Sequence, residues 1–280
     1  MNYYITGDIH SNVADLNHRV SLTKIVDGDC LILLGDVGVN FTRSLHDTIL
    51  KEQFENKNIT YFCIHGNHEI RPSNISSYKI KEWNGGRVYY EEEYPYLLFA
   101  IDGEIYNLNN KKTLVCGGAY SVDKYGRVFR AVLSPAGVSF PKEVILAIDK
   151  LYYHQKISRE EKAQCMQTID KYVNTGEYPV FWWPDEQPSE AIKDKVEERL
   201  QENDWKIDAI LTHTSPMKYE PTEVFLKSVD QSFVDKSTEK WLDYIEEKLD
   251  YGKWYAGHYH TDKAVNKKFT FLYKKIRKFA

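Results

Sequence analysis

Four times along the chain a short apolar run ends in glycine and then at once in a side chain bearing an oxygen or nitrogen donor. YYIT leads into Gly7-Asp8, CLILL into Gly35-Asp36, YFCIH into Gly66-Asn67 and KWYA into Gly257-His258. A fifth run, DAILT at 208–212, meets His213 without the glycine. Short apolar runs bounded by turn residues read as buried strands. Helix-like segments, from about Asn12 to Lys24 and from about Thr42 to Asn56, separate the first three. Such alternation implies right-handed crossovers and parallel pairing, and hence an α/β fold. The strand ends then share one sheet edge, where sites in open α/β sheets lie. Glycine permits sharp turns and close backbone approach there. The repeated ending therefore predicts one site assembled from distant segments.

Composition narrows the class. At 280 residues the chain fits a single large α/β unit. With 42% hydrophobic and 28% charged residues it can bury a core in water, which excludes a disordered chain. The longest apolar runs are far too short to span a bilayer. A net charge of -4 gives no global attraction to nucleic acid or anionic membranes, so neither is expected as a partner. The N-terminal MNYYITGD has no basic segment followed by an apolar stretch, so no signal peptide is expected. Cys30, Cys63, Cys116 and Cys165 lack C-x-x-C spacing and read as buried thiols. Both points favour a cytoplasmic location. From about 120 to 205 the repeated ending disappears. That region has helix-like stretches at about 141–153, 158–173 and 189–202, and the Trp- and Pro-rich EYPVFWWPDEQPS. We read 1–280 as a single domain, with about 120–205 as a helical, aromatic, cap-like insertion.

Asp8 and His10 are two residues apart, as are His258 and His260, so each pair can face one way on extended chain. With Asp36, Asn67 and His213 they make two carboxylates, an amide oxygen and four imidazoles, with no thiolate. Mixed oxygen and nitrogen donors suit Mn²⁺, Fe or Zn²⁺. Seven donors exceed what one tetrahedral ion with an open position needs. They suit two ions roughly 3.5–4 Å apart that share a carboxylate, hold a hydroxide and clamp phosphate oxygens. His68 adjoins a donor and is left free to protonate a leaving alkoxide or bond a phosphate oxygen.

GDIH, GDVG, GNHE, THTSP and GHYH resemble, in order, the five signature blocks of the calcineurin-like metallophosphoesterases. The similarity covers roughly 1–118 and 206–275. It implies a four-layer αββα sandwich of two mixed sheets flanked by helices, with a dinuclear metal site at the C-terminal strand edge. It also implies Asp8, His10, Asp36 and His260 around one ion, Asp36, Asn67, His213 and His258 around the other, Asp36 bridging, and His68 as the catalytic histidine. The phosphoprotein-phosphatase branch usually carries GDxxDR in the second block and arginine before GNHE. Here Val39, Asn40 and His65 stand instead, so that branch's substrate is not carried over.

The expected activity is metal-dependent hydrolysis of a phosphomonoester or phosphodiester by attack of a metal-bridging hydroxide. The expected substrate is a nucleotide or another small phosphoester. A protein Ser/Thr phosphatase on the same centre is the alternative, and a non-catalytic metal-binding scaffold a further one. Arg127 and Arg130, in GGAYSVDKYGRVFR, are candidates for the missing phosphate contacts. Glu69 is a candidate to orient His68.

Overall fold

The computed structural model describes residues 1–55, 58–134, 139–154 and 156–279. The chain divides into two compact units. The first comprises residues 1–120, 185–226 and 235–280, and the second residues 121–184 and 227–234.

The first unit opens with β1 (Tyr3–Thr6), α1 (Val13–Ser21), β2 (Cys30–Leu33), α2 (Leu45–Glu52) and β3 (Thr60–Cys63), the alternation the repeated endings predict. Asn12 caps α1 by accepting from Asp15 N, and Ser44 caps α2. The predicted second helix ends earlier, at Glu52, and Asn56 lies outside the described residues. Then come β4 (Lys79–Trp83), β5 (Gly86–Glu91), β6 (Tyr94–Ala100), β7 (Ile105–Leu108) and β8 (Lys111–Cys116). After the second unit's α3 (Lys124–Leu133), α4 (Lys142–Tyr153) and α5 (Arg159–Val173), the first unit resumes with α6 (Glu190–Glu202), β9 (Lys206–Thr212), α7 (Ser237–Lys248) and β10 (Asp250–Ala256). It ends with β11 (Lys263–Ala264), β12 (Phe269–Phe271) and β13 (Arg277–Lys278).

Two sheets result, ordered β13-β1-β2-β3-β6-β5-β4 and β11-β12-β10-β9-β8-β7. Both are mixed, with parallel centres and antiparallel edges. Strand alternation decides which residue faces which layer. In CLILL, Cys30, Ile32 and Leu34 enter the core between the sheets, beside Phe62, Val115 and Leu211. Leu31 and Leu33 face the other way, onto Leu16 and Val20 of α1 and Leu50 of α2. The second sheet repeats the arrangement. Ile210 and Trp254 pack outward on Val196 and Leu200 of α6 and Leu242 and Ile245 of α7. The first unit is thus two mixed sheets flanked by helices. Among the described residues, no helix is long and apolar enough to cross a membrane.

The second unit has its own core, built by Val128 of α3, Val144 and Ile148 of α4, Ile169 of α5 and Trp182. α5 starts with a capping box, in which Glu161 N donates to Ser158 Oγ and Ser158 N to the Glu161 carboxylate. The helix predicted at 189–202 is α6, capped by Ser189. It packs in the first unit rather than with the two helices before it.

Candidate metal centre

Register brings the donors together. Thr6 pairs with Leu33, and Leu33 with Cys63, so β1, β2 and β3 end level and parallel. In the second sheet Ala256 pairs with Thr212, which levels the turns carrying His213 and His258. The glycines make room for donors from neighbouring strands. A Cβ on Gly66 would collide with Asp36 Oδ1 and the Asp36 backbone N, and one on Gly257 with Asp8 Oδ1. The donor residues themselves are strained. His10 (φ 46°), Asp36 (φ 47°), His258 (φ 64°) and His260 (φ 50°) all occupy the left-handed region. Each such residue costs on the order of 1–3 kcal/mol, a type of strain that clusters at functional sites.

The seven donors predicted from sequence converge. His213 Nδ1 lies 2.7 Å from Leu34 O, a group that only accepts. Neutral His213 therefore carries its proton on Nδ1 and directs the Nε2 lone pair inward. Nε2 faces Asn67 Oδ1 at 2.9 Å and Asp36 Oδ1 at 3.4 Å. His258 Nδ1 approaches the same Asn67 oxygen at 3.1 Å. On the other side His10 Nε2 and His260 Nε2 meet at 2.8 Å. They lie 3.9 and 3.3 Å from Asp8 Oδ2, which is buried and accepts no hydrogen bond. Asp36 stands between the two halves. Its Oδ2 is 3.7 Å from His10 Nε2, while its Oδ1 faces His213 and accepts from His68 N at 2.8 Å. Acceptor atoms crowded in this way call for cations, and the donor set fits divalent ions.

Without an ion, a proton on His213 does part of the same work. Burial would raise the Asp36 carboxyl, but His213 and then His68 hold it well below the usual carboxylate range. Burial opposes charge on His213, yet the Asp36 carboxylate outweighs it and pushes His213 up to about 9. Burial, reinforced by His213, drives His258 down to about 3 and leaves it an unprotonated donor. His68 is half-buried, its ring 5.0 Å from that of His10 and perpendicular to it.

Glu69 has a place that its sequence context did not reveal. It is fully buried, accepting from Gly66 N at 3.0 Å and Gly38 N at 3.1 Å, and burial raises it to about 7. It ties the turn after β3 to the turn after β2. Arg71 and Asp102 were also missed. Arg71 Nη1 pairs with Asp102 Oδ2, and Asp102 Oδ1 accepts from Gly117 N at 2.6 Å. The pair links the loop after Glu69 to the end of β8. No spacing signal marks either contact, since the partners are far apart in the chain.

Arg127 and Arg130 belong to the second unit. Arg127 is buried, its Nε 3.0 Å from both Asp123 carboxylate oxygens and its Nη1 donating to Phe181 O at 2.6 Å. Its guanidinium thereby holds α3 to the segment before Trp182. Arg130 is exposed, 3.7 Å from Asp123 Oδ2.

Two mixed sheets that bring imidazoles, carboxylates and an amide oxygen to one edge define a metal-dependent hydrolase of phosphate esters. A family model described as calcineurin-like phosphoesterase matches residues 1–262, and the chain belongs to that family. It is a phosphoester hydrolase of a family that uses divalent metals. No curated protein matches the chain.

Proposed function

We propose that this chain hydrolyses a phosphomonoester or phosphodiester of a small molecule, nucleotides among the candidates, with two divalent ions drawn from Mn²⁺, Fe and Zn²⁺. Asp8, His10, Asp36 and His260 would hold one ion. Asp36, Asn67, His213 and His258 would hold the other, with Asp36 serving both. The observation that carries this is the meeting of His213 Nε2, Asn67 Oδ1 and Asp36 Oδ1 in one buried place, where each is an acceptor once His213 is neutral. Ions bound there supply positive charge to phosphate oxygens and lower the pKa of water.

The chain's own residues do the positioning. Leu34 O fixes the His213 ring through Nδ1. The Asp36 carboxylate anchors His68 through its backbone N–H and so fixes where the imidazole stands to protonate the leaving oxygen. Glu69 clamps both donor-bearing turns and so preserves their spacing during turnover. Asn40, standing where the phosphoprotein branch has a charged residue, is buried and exchanges hydrogen bonds with Tyr78 OH at 3.0 and 3.1 Å. Its amide is occupied away from substrate, which supports a substrate outside that branch.

The test is to strip the purified protein, reload it separately with Mn²⁺, Fe²⁺ and Zn²⁺, and assay an aryl phosphomonoester beside an aryl phosphodiester. Two ions per chain and metal-dependent turnover are expected, with the preferred ester setting the substrate class. A folded Asp36→Asn/His258→Ala double variant should lose turnover. Retained turnover in that variant would overturn the assignment.

A further inference from the structure

The turn after β12, residues 272–275, runs against the metal centre. Gly7 N donates to Tyr273 O at 3.1 Å, and the Tyr273 ring stacks on that of His260, centroids 4.7 Å apart and planes at 19°. The turn is fixed from both sides. Asp262 accepts from the backbone N–H groups of Tyr273 at 3.0 Å, Lys274 at 3.1 Å and Lys275 at 3.2 Å. Arg19 Nη1 donates to Lys274 O at 2.9 Å, while its Nε pairs with Asp15 at 3.0 Å. The nearby carboxylates are thus engaged, Asp262 by amides and Asp15 by Arg19.

The side chains this turn presents are Lys274 and Lys275, both exposed. Among the described residues, neither ammonium ion-pairs with a carboxylate. Lys274 Nζ lies 5.6 Å from the Tyr273 ring centroid, so the stacked pair bounds it to within about 10 Å of the His260 ring. Two further cations, Arg277 and Lys278, lie on β13, which pairs with β1 at a sheet edge. Their charge has a ready explanation, because cations on edge strands block edge-to-edge association. Lys274 and Lys275 precede the strand, so that explanation does not cover them. They also lie past residue 262, where the family match ends.

We propose that Lys274 and Lys275 form an anion subsite at the rim of the metal centre, which takes a second phosphate of the substrate. The preferred substrate, on the phosphoesterase reading above, is then a small phosphoester carrying a further phosphate several bonds from the scissile one. A fixed backbone with free ammonium groups suits this role, since only the side chains need ordering on binding. Two lysines in a chain of net charge -4 do not make the basic stripe a nucleic acid requires.

Calorimetry on the metal-loaded full chain tests the subsite, comparing fructose 1,6-bisphosphate with fructose 6-phosphate as probes. Turnover of an aryl phosphomonoester is measured on the same preparation. The bisphosphate should bind roughly tenfold more tightly, as expected for two exposed ion pairs. Rising salt should shrink that ratio. Lys274→Ala/Lys275→Ala should bring it to near one, Lys274→Arg/Lys275→Arg should restore it, and Arg277→Ala/Lys278→Ala should leave it as in the parent. Equal affinity for the two probes in a protein that turns over the aryl ester would overturn the subsite and leave the phosphoesterase reading standing. No turnover of any ester would instead remove that reading. A short single-stranded oligonucleotide that displaces the bisphosphate in a Lys274- and Lys275-dependent way would overturn the small-substrate assignment.

Discussion

Glu239, on α7, is buried and accepts from Thr214 Oγ1 at 2.7 Å, while its Oε2 has no hydrogen bond. Burial raises this carboxyl to about 7 from its ordinary 4.5. The sign follows from linkage. A carboxyl whose folded pKa is raised contributes stability that is complete below pH 4.5 and is lost as pH rises through about 7. Glu239→Gln keeps an acceptor for Thr214 and cannot ionise. The variant should therefore melt several degrees above the parent at pH 8, a gain on the order of 2–3 kcal/mol, and the gap should close below about pH 4.5. Melting curves across that range decide it, and a constant offset would mean that Glu239 does not titrate on unfolding. The same scale shows what single residues disclose in sequence. The readings of Asn67 as a metal donor and His68 as its catalytic neighbour rest on chemistry that lies in their own side chains. The role of Glu69 does not, because it is set by Gly38 N and Gly66 N, and Gly38 is 31 residues away. An acid beside a histidine reads the same whether it is solvated or fully buried.

At the scale of elements, the first three strands and the helices between them could be read from the sequence because each carries its own periodicity and caps. The placement of α6 could not. Its pattern is that of any amphipathic helix, and only contact with Leu114 and Ile210 assigns it to the first unit. Glycines divide in the same way. Gly66 must be glycine because a Cβ would strike Asp36, backbone included. Gly66→Ala should cost about 2–3 kcal/mol, the upper part of the usual range for overpacking, and weaken metal binding at least tenfold. Gly126 offers the contrast. It sits inside α3, where the nearest atom to an added Cβ is Tyr152 Oη at 3.5 Å. Gly126→Ala should stabilise by about 0.5–1 kcal/mol, because helical glycine loses more chain entropy than alanine. Opposite shifts in melting temperature are expected. Two shifts of the same sign would mean that the glycine before Asn67 answers to something other than the Asp36 contact.

For the whole molecule, all seven donors and His68 fall in the first unit, on segments ending at strands of both its sheets. The repeated endings announced this convergence, while the sandwich itself followed from resemblance rather than from periodicity. β13 carries no periodicity of its own. Its two residues are charged and exposed, so only pairing with β1 and the burial of Phe279 beyond it identify a strand. The second unit has a separate core around Val128 and Ile169, both fully buried. If the metal centre depends on the first unit alone, damage to that second core should leave metal content unchanged. Ile169→Asp places an unpaired charge there, which costs roughly 3 kcal/mol or more. Limited proteolysis should then cut within 121–184 while the isolated chain retains the parent's metal stoichiometry by elemental analysis. Loss of metal together with protease resistance elsewhere in the chain would show instead that the two cores support the centre jointly.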